Sequence, residues 1–153
     1  LDIGSSPGGW AQVSRKIITT GKVMSLDLVD MEKIENVVFY RGNFLEQKTK
    51  NKIMSFFDKN IDVIISDMAA NTTGNKTLDC IRTNQLCADV MVFSHEILKP
   101  NGVLVSKIFM GEDFIEIKEL ARSKFKKVQF FKPESSKNES KETYVHCATL
   151  RTL

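Results

Sequence analysis

Short apolar, β-branched runs alternate with stretches of helical spacing along this chain, and that alternation restricts the fold more than any other feature. "KVMSLDL" (22–28), "NVVFYRGNF" (36–44), "IDVIISD" (61–67), "VLVSKIF" (103–109), "KVQFF" (127–131) and "TYVHCATL" (143–150) read as strands, and residues 1–3 as the end of another. Between them, residues 10–18 and 114–125 read as helices. Ile53, Phe56 and Phe57 repeat at i, i+3, i+4, and Leu86, Val90, Phe93 and Ile97 share one face of a longer helix that "KPNG" (99–102) ends with turn chemistry. Strand, helix and strand repeated in this way imply a doubly wound α/β sheet, in which ligands bind beyond the carboxyl ends of the strands. The residues at those ends therefore carry the functional question: the turn from Gly4 to Trp10, then Asp27, Asn43, Asp67 and, within the fifth strand, Lys107.

The first of these turns is "GSSPGGW". A triphosphate-binding loop needs GxxxxGK[ST], and no Lys-Ser/Thr pair follows these glycines. A dinucleotide fingerprint needs GxGxxG; the middle glycine is missing, and Pro7 removes a backbone donor where a pyrophosphate would want one. A dehydrogenase is disfavoured on the same ground. Asp27 follows Gly8 by 19 residues, close to the offset of about 20 at which an acidic residue on the second strand holds ribose hydroxyls. A nucleoside carrying no phosphate fits best, and S-adenosylmethionine is the common one.

The charge totals, 22 basic against 19 acidic residues, leave only +3, but the distribution is uneven. From Lys118 to Lys141 eight basic residues face three acidic ones, a local excess of +5 on the segment that contains the polar loop "KPESSKNESK" (132–141). Such a run is ordinarily a solvated face; here Lys132 and Lys137 are candidate phosphate contacts. Three cysteines (Cys80, Cys87, Cys147) without CxxC spacing, and only two histidines, argue against a disulfide framework and against a metal site. His146 and Cys147 read as packing residues on a strand. Reduced thiols, no run approaching a membrane span and no signal-peptide pattern lead to the expectation of a cytoplasmic protein. The first residue, Leu1, falls inside a strand, so the chain is expected to be a single catalytic domain (1–153) lacking its N-terminal segment.

Six blocks in order, "DIGSSPGGW", "LDLVDM", "RGNF", "SDMAANTTG", "VSKIF" and "KPESSKNESKETYV", closely resemble the FtsJ/RrmJ family of ribosomal RNA 2′-O-ribose methyltransferases, and the resemblance spans essentially the whole chain. It implies a Rossmann-like, S-adenosylmethionine-dependent methyltransferase fold: a mostly parallel sheet with an antiparallel C-terminal strand and helices on both faces. It implies a Lys-Asp-Lys-Glu tetrad whose last three members match Asp67, Lys107 and Glu142, the first lysine belonging upstream. Gly8 and Trp10 would line the cofactor, Asp27 would hold its ribose, Asp67 would border it, and Asn43 stands where the family usually has Asp beside the adenine. The implied reaction is methylation of a uridine in large-subunit (23S) ribosomal RNA, within the assembled subunit, by a monomer without metal. A tRNA methyltransferase of the same family and a noncatalytic RNA-binding module are the alternatives.

The chemistry supports the tetrad independently. A ribose hydroxyl is a poor nucleophile, so methyl transfer gains from a positioned base and in-line geometry. Lysine is protonated at neutral pH at its reference pKa of about 10.4; a second ammonium and the sulfonium nearby would push that pKa down while Asp67 and Glu142 orient the amine and partly oppose the shift, so lysine serves as a base only inside a cluster of mixed charge. Lys107 with Asp67 and Glu142 is the candidate cluster; a binding module has no need of one.

Overall fold

The computed structural model describes residues 1–58 and 60–152. Seven strands form one sheet: β1 (Asp2–Ile3), β2 (Met24–Asp27), β3 (Val38–Arg41), β4 (Ile61–Ser66), β5 (Leu98–Phe109), β6 (Phe125–Phe131) and β7 (Glu142–Leu150). Four helices connect them: α1 (Gly9–Ile17), α2 (Gln47–Phe57), α3 (Lys76–Ile97) and α4 (Phe114–Lys124). The strand order is β3-β2-β1-β4-β5-β7-β6. The first five are mutually parallel, and β7 runs antiparallel between β5 and β6. The order reverses at β1, between β2 and β4, which is where an open α/β sheet opens its crevice.

Alternation along the strands sorts the two faces. Ile3, Leu26, Ile64, Leu104, Ile108, Val145 and Cys147 join one core with Ile53 and Phe57 of α2, Val90, Met91 and Ile97 of α3, and Ile117 and Ala121 of α4. Lys107 and Tyr144 alternate with these and point the other way, toward the side where Trp10 opens α1. Helices thus flank both faces.

One segment departs from the sequence reading. "KPNG" lies inside β5 rather than outside the sheet: Ile61 pairs with Leu98, Val63 pairs with Val103, and the register shifts between them. Pro100 has no N–H to give to a ladder, so the chain bulges over these residues and resumes pairing at Val103. Strands β2 and β3 are also shorter than read; β3 is bounded by Asn36, at a positive φ of 58°, and by Gly42.

Candidate active site

The strand ends converge as an open α/β sheet requires, and the turn after β1 is the tightest part. Gly4 has φ 76°, and both Gly4 and Ser5 donate their N–H to the Leu26 carbonyl, at 2.8 and 3.1 Å. A Cβ on Gly4 would lie 2.8 Å from Met68 Cγ, so only glycine lets the turns after β1 and β4 touch. Asp27 fastens the same region: one carboxylate oxygen accepts from the Ser6 N–H at 2.8 Å, the other from the Val29 N–H at 3.0 Å.

Between these turns lies an open cavity of about 550 Å³ that runs along the strand ends from Asn43 to Asp67 and is bordered on its outer side by Arg82, Gln85 and Asp89 of α3. Asp27, Asn43 and Asp67 line it, with Gly4, Ser6 and Met68. Gly8 and Trp10 do not. Gly8 is the left-handed residue that starts α1, packed toward Ile34 and Met31. Trp10, 37% exposed, meets the ring of Tyr144 with centroids 5.9 Å apart. Asn43 carries more information than its spacing suggested. Its side-chain oxygen accepts from the Leu45 N–H at 3.0 Å, which fixes the amide orientation and leaves the NH₂ as the uncommitted end.

At the Asp67 end of the cavity the ammonium of Lys107 bridges two carboxylates, 3.0 Å from Asp67 Oδ1 and 3.4 Å from Glu142 Oε2. The Lys107 side chain is only 12% exposed, against 27% for Asp67 and 32% for Glu142, so the cation is sheltered while the anions reach solvent. Three elements make this meeting. Asp67 follows β4, its N–H held by the Ile3 carbonyl at 3.1 Å. Lys107 lies on β5, whose end is clamped by buried Asn84: the Asn84 amide donates to the Phe109 carbonyl at 2.9 Å and accepts from the Phe109 N–H at 2.8 Å. Glu142 opens β7 opposite Phe109.

Tyr144 was not among the residues expected here. Directly opposite Lys107, its hydroxyl donates to Asp67 Oδ1 at 2.6 Å and lies 3.5 Å from Glu142 Oε1. Burial, followed by the hydrogen bond and charge of Asp67 and the charge of Glu142, holds the phenol far above its ordinary range, so it stays a donor. The signal that could have found it is its place two residues after Glu142 on the same strand face.

Lys132, read as a phosphate contact, is exposed, and its ammonium is engaged by carbonyls of its own loop. It donates to the carbonyls of Asn138 and Ser140 at 2.9 and 2.7 Å and closes the loop between β6 and β7. Ser140 Oγ in turn accepts from the Glu142 N–H at 3.2 Å. Lys137 is exposed on that loop. Cys147 is fully buried, and burial, with a smaller effect of Cys87, pushes its thiol up to about 12, the behaviour of a packing residue.

Comparison with known proteins decides the family. The model of the FtsJ-like methyltransferases matches residues 1–150. The chain belongs to the FtsJ-like methyltransferase family. It is 44% identical over 151 residues to Ribosomal RNA large subunit methyltransferase E of Pelagibacter ubique, a match that covers 99% of this chain and 74% of that protein. It spans 66% of the length of the Rickettsia akari protein of the same name. Among solved structures it resembles a ribosomal RNA methyltransferase of Plasmodium falciparum, at 27% identity and TM-score 0.85 over 97% of this chain and 84% of that one. It shares the fold of human Methyltransferase-like protein 13, solved with SAH, at 11% identity and TM-score 0.69 over 97% and 70%. Among the described residues no group of three or more His, Cys, Asp or Glu is placed to hold a metal ion, and no helix is long and apolar enough to cross a membrane.

Proposed function

We propose that this chain transfers a methyl group from S-adenosylmethionine to the 2′-hydroxyl of a uridine in large-subunit ribosomal RNA. The observation that carries the reading is the Lys107 ammonium held between Asp67 and Glu142 at one end of a cavity whose other end is Asn43.

The residues present suit that cofactor. The lining is largely apolar with a few aimed polar groups, and its carboxylates, Asp27, Asp67 and Asp89, suit a ligand that carries positive charge and no phosphate. Asp27 lies midway along the strand ends and would take the ribose hydroxyls, Asn43 the base, and Asp67 would border the sulfonium end. When bound, S-adenosylmethionine supplies an electrophilic methyl group on a positively charged sulfur.

The chain's own residues do the rest. Lys107 Nζ, once neutral, accepts the proton of the 2′-hydroxyl as the oxygen attacks. Asp67 and Glu142 fix the direction of that nitrogen, and the Tyr144 hydroxyl occupies Asp67 Oδ1 so that the carboxylate keeps its rotamer. Sheltering of the amine limits competition from water. The substrate is read as ribosomal RNA within the large subunit because relatives named for that activity match nearly the whole chain. A binding module would gain nothing from a sheltered cation between two carboxylates.

The test is methyl transfer from labelled S-adenosylmethionine to large subunits lacking the modification, with the modified ribose mapped. A 2′-deoxy nucleotide at the mapped position should accept no label. Transfer to a base or to protein would contradict the reading.

A further inference from the structure

We propose that Phe131 is the stacking platform for a nucleobase of the RNA substrate, on the same rung of the sheet as the reacting amine. The inference rests on the functional reading above and extends it to how the acceptor strand is held.

Lys107 of β5 is paired with Tyr144 of β7, and Tyr144 with Phe131 of β6, so the three side chains stand in one row on one face. At about 4.8 Å between neighbouring strands, Phe131 is roughly 10 Å across from Lys107. That separation places it beside an acceptor ribose seated at the amine. The Phe131 ring stacks on that of Tyr144, with centroids 5.8 Å apart and planes 23° apart, yet Phe131 is 44% exposed. One ring face is therefore supported and the other is offered to solvent.

A single exposed phenylalanine is ordinary; its surroundings set this one apart. Across Tyr144 lies the sheltered ion cluster, and after Phe131 the chain passes directly into the loop that carries exposed Lys137 and ends at exposed Lys141, next to Glu142. An aromatic face near a reactive centre, on a strand that leads into exposed cations, is a combination that holds unpaired nucleic acid, the cations taking phosphates and the ring taking a base. Every base has a π-face, so the platform supplies affinity rather than sequence identity.

A prop for Tyr144 is the rival role, and the substitutions separate the two. In the full chain, Phe131→Ala should raise the KM for RNA by at least about fivefold, the lower end of what one aromatic–base stack contributes. The dissociation constant for S-adenosylmethionine and the salt dependence of RNA binding should not move, since no charge is lost. Phe131→Tyr should restore binding and Phe131→Leu should not. Fluorescence of 2-aminopurine at the acceptor position of a single-stranded RNA should be quenched by the wild type and Phe131→Tyr, and not by Phe131→Leu. If Phe131→Leu binds RNA as the wild type does, or if Phe131→Ala lowers kcat and leaves KM alone, the ring is only a prop and the proposal falls. Absence of methyl transfer to RNA by a wild-type protein that carries the upstream tetrad lysine would instead overturn the functional reading.

Discussion

Asp2 offers a test of the site's electrostatics that needs no substrate. It is 2% exposed on β1, opposite Ser25, and neither carboxylate oxygen has a hydrogen-bond partner in the structure. Burial pushes its pKa up from 3.8 to about 6; the charge of the neighbouring amino group of Leu1 holds the rise back, and Asp67 and Asp27 add to it. An acid whose folded-state pKa is raised works against folding at high pH. Below 3.8 it is protonated in both states and costs nothing. Between 3.8 and about 6 the native state keeps a proton that the unfolded chain has released, so stability falls as pH rises; above 6 the cost is complete. At 1.36 kcal/mol per pKa unit that cost is about 3 kcal/mol. Asp2→Asn removes the titration and little else in shape. The assay is urea unfolding of both proteins from pH 4 to pH 8, taking the difference at each pH so that groups common to both cancel. The variant should gain on the wild type by about 2.4 kcal/mol between pH 4 and pH 7, and the difference should level off above that. A pH-independent difference, or one of opposite sign, would refute the argument that burial of Asp2 outweighs the attraction of the nearby amino group.

Three further outcomes follow from the geometry. Tyr144→Phe deletes a 2.6 Å hydrogen bond to Asp67 and keeps the ring, so kcat should fall by about tenfold or more, the scale of one hydrogen bond to a charged group, while cofactor affinity measured by calorimetry holds. Lys132→Ala and Lys137→Ala should part ways: the first opens the loop ahead of Glu142 and lowers kcat, whereas the second lowers RNA affinity and flattens its salt dependence by about one phosphate contact. Asn43→Ala should weaken S-adenosylmethionine binding by about 1 kcal/mol, and because the Asn43 oxygen is engaged by Leu45, an analogue lacking the ring acceptor of adenine should lose more than one lacking its amino donor.

The strand ends were readable in the sequence because an α/β sheet gives them one job: Asp27, Asn43, Asp67 and Lys107 fall where short β-branched runs stop, and the structure gathers them along one edge. What escaped was set by tertiary register. Tyr144 reads as a core residue on an alternating strand, and only its pairing with Lys107 turns its hydroxyl toward Asp67. Asn84 sits within a long helix, and nothing local announces that it clamps both backbone groups of Phe109. Lys132 is the surface cation it looked like, but sequence shows charge and not which carbonyls fold back to meet it. Gly8 and Trp10, expected to line the cofactor because they belong to the glycine turn, lie beyond Pro7 at the start of α1, where Trp10 also meets Tyr144.

The central claim is that Lys107 takes the proton from the acceptor hydroxyl. Lys107→Met, which keeps much of the stem and removes the amine, tests it most directly in single-turnover methyl transfer with cofactor affinity measured alongside. Loss of 10²-fold or more in the transfer step, the range ascribed to a positioned base, with S-adenosylmethionine bound within a few-fold of wild type, is the expected result. A variant that keeps more than about a tenth of the wild-type rate would show that the hydroxyl loses its proton without this amine and would contradict the mechanism.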